Sequence, residues 1–193
     1  TKEANANAVH LLETVIQLDP DYAPAYAHLA ETFLQQVQLS FTDDLDDALT
    51  RAGDLAARAV ALDDRLPLAH GVLGQAYQWQ KQHDKALAEA CRRVELDSGD
   101  AEGLATYGMA LQFDGQHEEA IAVAEKAIRL NPHYPFWYMF VISLAQYQLR
   151  RHDDALNAAQ RCVIRNAESM PVYCCLEHFP IIRGHIQRLQ SSF

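Results

Sequence analysis

Apolar and small side chains recur along most of this chain at intervals of three and four, the spacing of one face of an α-helix. The clearest stretch is residues 101–134, AEGLATYGMALQFDGQHEEAIAVAEKAIRLNPHY. Leu104, Tyr107, Gly108 and Leu111 mark its first half, and Ala120, Ala124, Ala127 and Leu130 its second. Gly115, after Asp114, breaks the pattern between the halves, and Asn131-Pro132 ends it. Glycine and proline punctuate helices, so the stretch predicts two helices of about fourteen residues joined by a tight turn.

The same skeleton returns along the chain. Shifted back by 34, Pro67–Asp100 carries Leu73-Gly74, Tyr77, Ala86, Ala90 and Leu96, with Arg93 in the place of Ala127 and Ser98 in the place of Pro132. Residues 136–167 carry Ser143, Ala155, Ala159 and Cys162 in matching roles, after a one-residue offset near Pro135. Upstream, Ala23–Phe33 supplies the front half of a unit through Tyr26, Leu29-Ala30 and Phe33. Ala8, Leu12, Val15 and Asp19-Pro20 supply the back half of an earlier one. The chain therefore reads as one domain over 1–193, in units of approximately 1–22 (second helix only), 23–66, 67–100, 101–134 and 135–168, with 169–193 as a C-terminal helical cap.

This pattern resembles the tetratricopeptide repeat, a 34-residue unit of two helices. It shows most plainly in LATYGMAL…HEEAIAVAEKAIRLNP and HGVLGQAY…HDKALAEACRRVELD, and the resemblance covers roughly residues 5–167. The small residues at the eighth and twentieth positions are steric, because larger side chains there would separate helices that must touch. The fold implied is all-α, a right-handed superhelical solenoid of antiparallel helix pairs. More distantly, an early repeat with an insertion is similar to repeat arrays attached to bacterial transcriptional regulators and nucleotide-cyclase proteins. Ala23 to Pro67 is 44 residues, ten more than the 34 from Pro67 to Ala101, and the excess falls around 34–51, LQQVQLSFTDDLDDALTR. A longer, projecting hairpin is expected there, with Thr42 or Asp43 capping its second helix and Leu34, Val37, Leu39 and Phe41 flanking an acidic turn. Such a projection either positions a partner or is a plain surface elongation.

In repeats of this kind the concave side is lined by first helices and commonly holds peptides or partner helices. The resemblance places there His28, Glu31, Leu34 and Gln35; Leu68, Val72, Gln75, Gln78 and Trp79; Thr106, Met109, Gln112 and Phe113; and Trp137, Phe140, Val141, Leu144 and Tyr147. The set is apolar, aromatic and rich in glutamine. Exposed Trp, Phe and Met are typical of binding hot spots. Trp79 and Phe113 equally suit a second role, folding over the neighbouring hairpin as core, and the aromatics at 136–140 suit sealing the last repeats. Arrays that clamp a terminal carboxylate use Lys, Asn and Arg in the groove, whereas Glu31, Gln75 and Met109 hold the ninth positions here and would leave such a carboxylate unpaired.

Composition narrows the rest. Of 193 residues 49% are hydrophobic, with only 8 Gly and 7 Pro, which excludes general disorder. Sixteen basic against 26 acidic residues give a formal charge of -10, a balance that repels phosphate backbones and anionic lipid. No nucleic-acid partner is expected. No run of 18 apolar residues occurs, so no membrane insertion is expected either. The cysteines at 91, 162, 174 and 175 form no CxxC pair, and the expected compartment is cytoplasmic, with periplasmic open. The opening Thr-Lys-Glu-Ala suggests a processed product or an excised domain.

Candidate chemistry is thin. Cys174, Cys175, His178 and His185 match no familiar zinc spacing. Asp43, Asp44, Asp46 and Asp47 lack the glycine and distal glutamate of a calcium loop and suit a helix N-terminus. His83, His117 and His152 follow the repeat and suggest a role in the turn. No nucleotide-binding, metalloprotease or nucleophile-elbow motif is present. The expectation is a non-catalytic scaffold or regulatory module for a protein or peptide, without cofactor. The alternative is a self-association module using the same or C-terminal apolar surfaces. Val172, Leu176, Phe179, Ile182, Ile186 and Leu189 form an apolar stripe suited to a homodimer, with Pro180 expected to kink it.

Overall fold

The computed structural model describes residues 1–165. The expectations for 169–193, including the kink, the homodimer stripe and the Cys174, Cys175, His178 and His185 cluster, lie outside the described residues. Among the described residues the chain is entirely helical: α1 (Lys2–Leu18), α2 (Ala23–Gln38), α3 (Leu45–Leu62), α4 (Pro67–Trp79), α5 (His83–Leu96), α6 (Ala101–Asp114), α7 (His117–Leu130), α8 (Phe136–Gln148) and α9 (His152–Arg165). The pairs α2·α3, α4·α5, α6·α7 and α8·α9 are antiparallel hairpins, and each packs on the next. The first helices also meet directly, α2 with α4, α4 with α6 and α6 with α8. The architecture is that of a tetratricopeptide-type solenoid. Among the described residues no helix is long and apolar enough to cross a membrane.

Within each hairpin the approach is set by small side chains. A Cβ on Gly74 would lie 3.3 Å from the Ala86 carbonyl oxygen, and one on Gly108 3.2 Å from that of Ala120. At the matching place in the last hairpin, Ser143 Oγ instead donates to the Ala155 carbonyl at 3.0 Å. The opposing alanines Ala86, Ala90, Ala120, Ala124, Ala155 and Ala159 are all buried. Helices this close leave little room for larger residues.

Each first helix ends the same way. Ser40, Lys81, Gly115 and Arg150 adopt φ of 53°, 61°, 86° and 62°. The amide of the following residue reaches back to the carbonyl five positions earlier: Phe41 to Gln36, Gln82 to Tyr77, Gln116 to Leu111 and Arg151 to Gln146. This is a Schellman closure, which satisfies carbonyls the helix would otherwise leave open.

The ten extra residues of the early repeat are divided three ways. The first helix has 16 residues against 13 in α4, the second has 18 against 14 in α5, and residues 39–44 replace the shorter turn at 80–82. Leu34 and Val37 do not flank the turn. They are buried in a core cluster with Leu29, Phe33, Val72 and Leu73, while Leu39 is exposed and Phe41 half-buried. Arg51 from α3 lies 4.2 Å over the Phe33 ring. The cap of α3 is neither Thr42 nor Asp43 but Asp44, whose Oδ1 accepts from the Asp47 amide at 3.0 Å. Thr42 Oγ1 accepts from the Asp44 amide at 3.1 Å and so holds the cap in place.

Candidate functional site

The stacking of α2, α4, α6 and α8 leaves a cavity of about 810 Å³ along their shared face. Helix α2 supplies Glu31, Leu34, Gln35 and Gln38, and α4 supplies Gln75, Gln78 and Trp79, with Lys81 and His83 just beyond it. Opposite, α6 supplies Glu102, Thr106, Met109 and Phe113, and α8 supplies Trp137. A smaller recess of about 310 Å³ between α7, α8 and α9 is lined by charged residues, Glu125, Arg129, Asp154 and Arg161 among them, and has no aromatic wall.

Two aromatic rings stand open in the larger cavity. Trp79 is 45% exposed and Phe113 52% exposed, unusual for side chains that gain by leaving water. Phe113 is braced from one side: His83 stacks on it with ring centroids 5.4 Å apart and planes 11° from parallel. His83 Nδ1 is buried and finds no hydrogen-bond partner among the described residues.

The carboxylates are also positioned. Tyr138, buried beneath the wall, donates from its hydroxyl to Glu102 Oε2 at 3.1 Å. Burial first, and the Glu102 charge second, push the Tyr138 phenol well above its usual range. The proton stays on the phenol, which donates, and Glu102 Oε2 accepts. Trp137 meets the same Tyr138 ring edge to face, with centroids 4.6 Å apart and planes at 75°. Across the cavity, Glu31 Oε2 lies 3.3 Å from His28 Nδ1.

The structure brings Glu31, Gln35, Gln75, Trp79, Met109 and Phe113 together on this wall, with Leu34, Gln78, Thr106 and Trp137. Trp79 and Phe113 do not fold over as core. Other positions lie elsewhere. His28 is exposed beside Glu31 but off the wall. Val72 is 3% exposed because its face of α4 turns toward α2, where it joins the core with Leu29 and Phe33. Gln112 is 7% exposed, and its Oε1 pairs with His117 Nδ1 at 2.8 Å across the turn. Phe140, Leu144 and Tyr147 are half-buried against the core around α6–α9, Tyr147 lying edge-on to His152. Of α8, only Trp137 lines the cavity, at the repeat position that Glu102 holds in α6.

Sequence reading missed Gln38, Lys81, His83 and Glu102. Gln38 comes from the extension of α2, and Lys81 and His83 from the turn after α4. Glu102 occupies a first-turn position, where an acidic residue is already explained by the helix dipole. The recurrence of histidine at the turns was visible, and His83, His117 and His152 each open a second helix. Among the described residues no group of three or more His, Cys, Asp or Glu could hold a metal ion.

Comparison with known proteins places the fold. Residues 101–134 match the family described as Tetratricopeptide repeat. A crystal structure of MamA is similar over 87% of this chain and 92% of its own, with 21% identity and a TM-score of 0.65. YrrB, described as a TPR protein with an unusual peptide-binding site, is similar over 91% of this chain and 84% of its own, with 17% identity and a TM-score of 0.65. MamA from Desulfovibrio magneticus RS-1, residues 41 to the end, is similar over 86% and 88%, with 16% identity and a TM-score of 0.65. No curated protein matches by sequence. The likeness is one of fold, the tetratricopeptide-type helical array. It gives no support to the more distant resemblance to arrays of bacterial transcriptional regulators and nucleotide-cyclase proteins.

Proposed function

We propose that this chain is a non-catalytic interaction module that holds an extended peptide segment of another protein in the cavity along α2, α4, α6 and α8. One observation carries the reading: Trp79 and Phe113, one repeat apart on consecutive first helices, stand half-exposed at a cavity of about 810 Å³. Two apolar rings left in water at such a place gain when a partner covers them, the property of interface anchors. The glutamines Gln35, Gln38, Gln75 and Gln78 add amides that both donate and accept, suited to the backbone of an extended segment. The extension of α2 enters the same surface through Gln38. That YrrB is described as having a peptide-binding site agrees with this use of the fold.

The test starts from peptides selected from a random phage-displayed library on the intact protein. Changing Trp79 and Phe113 together to Ala should weaken those peptides by about 2 kcal/mol or more. Helical circular dichroism should be retained, because both rings are already half out of the core. Selected peptides that bind the double variant unchanged would sink the proposal, as would a variant that unfolds outright.

A further inference from the structure

Resting on the peptide-cavity reading, we infer that the cavity selects a segment bearing a basic side chain, Lys or Arg, seated against Glu102 and the aromatic wall. The cavity carries two carboxylates, Glu31 and Glu102, against one lysine, Lys81. Glu102 is the better placed. Its Oε2 is held by the hydroxyl of Tyr138, 36 residues away in the chain, so the carboxylate is oriented before any partner arrives. Trp137 is fixed against the same Tyr138 ring. A cation entering here meets a preoriented anion and aromatic faces, the two groups that recognise ammonium and guanidinium together. An acidic segment would meet two carboxylates and a chain of formal charge -10, whereas a basic one is steered toward it.

Both tryptophans of the chain, Trp79 and Trp137, line this cavity. Intrinsic tryptophan emission therefore reports its occupancy without a label. The experiment titrates library-selected peptides into the protein and into the E31Q/E102Q variant, which keeps a side-chain oxygen to accept from Tyr138. The expected peptides carry Lys or Arg beside apolar residues and shift the emission. Their affinity falls at least tenfold in the variant and weakens with added salt. Replacing the peptide's basic residue by Gln should cost a similar factor in the intact protein and little in the variant. Peptides that shift the emission but lack a basic residue, or bind both proteins equally, overturn this inference and leave the peptide cavity standing. Peptides that bind without moving the emission, and survive W79A/F113A, place binding elsewhere and overturn both.

Discussion

Arg93 stands where the next repeat has Ala127, a position that brings two helices into contact, and it is nevertheless buried. Its Nε donates to Asp100 Oδ2 at 2.8 Å, and Nη2 lies 2.7 Å from the same oxygen. Room for the long side chain comes from two glycines on the flanking helices. A Cβ at Gly71 would fall 2.5 Å from Nη1, and one at Gly103 2.9 Å from Nε. The substitution was visible in sequence as a flaw in the repeat. Its compensation was not, because the glycines that make it possible lie 22 residues before and 10 after it, at positions the repeat does not constrain. R93A should cost about 2–3 kcal/mol, since it leaves Asp100 unpaired and a space behind. G71A should cost about 1–3 kcal/mol in the intact protein by overpacking against the guanidinium. Combined with R93A, the same change should stabilise by up to about 1 kcal/mol, the helix propensity of Ala over Gly acting alone. Urea denaturation of the four proteins reads this reversal of sign. A Gly71 change with the same effect in both backgrounds would refute the coupling.

Helix number, pairing and phase were legible because they rest on small residues that recur at Gly74, Gly108 and Ser143, where contact with the second helix admits nothing larger. How an element ends was less legible. Gly115 read as a breaker, yet Ser40, Lys81 and Arg150 make the same left-handed turn with side chains that disfavour it. The ten-residue excess could be counted, but not its division between two helices and a turn, nor the shift of the cap to Asp44. At the site, Glu31, Gln35, Gln75, Trp79, Met109 and Phe113 followed from repeat position, whereas the burial of Val72 and Gln112 and the Tyr138–Glu102 bond depend on packing that no spacing encodes. The turns give a prediction at this scale. At Gly115 a Cβ would meet nothing within 4 Å, so G115A should lose about 1 kcal/mol through backbone strain alone. Arg150 is exposed, and R150G should gain about 0.5–1 kcal/mol, the relief of strain outweighing the added freedom of the unfolded chain. Thermal melts of both variants check the opposite signs. A loss of stability in R150G would mean that its side chain contributes more than its backbone conformation costs.

The apolar core of the whole array is not continuous. One cluster joins α2, α3 and α4 through Leu29, Phe33, Leu34, Val37 and Leu73, with Val9, Leu12 and Ile16 of α1 packed against it. Another joins α6, α7, α8 and α9 through Leu104, Leu111, Tyr138, Met139 and Val141, with Leu87 and Val94 of α5 packed against it. Between them the α4·α5 contact rests on Gly74, Ala86 and Ala90 and on polar links. His70 Nδ1 lies 2.7 Å from Glu89 Oε2, and Lys85 Nζ lies 5.2 Å from the Tyr77 ring centroid. Arg93 spans the division, packed against Gly71 of α4 and Gly103 of α6. Repeat arrays are stabilised by each unit and by its contacts with neighbours, so a seam poor in large apolar contacts is where cooperativity should weaken. Native-state hydrogen exchange should therefore resolve two units, α1–α4 opening at a lower free energy than α6–α9, whose cluster holds more large side chains. R93A should widen the gap by lowering the opening energy of α1–α4 more than that of α6–α9. The cavity wall crosses this seam, with Trp79 on one side and Phe113 on the other, so a peptide lying across both should narrow the gap again. One shared exchange free energy for every helix, or an equal shift throughout on R93A, would show that the array folds as one block and that the seam has no energetic meaning.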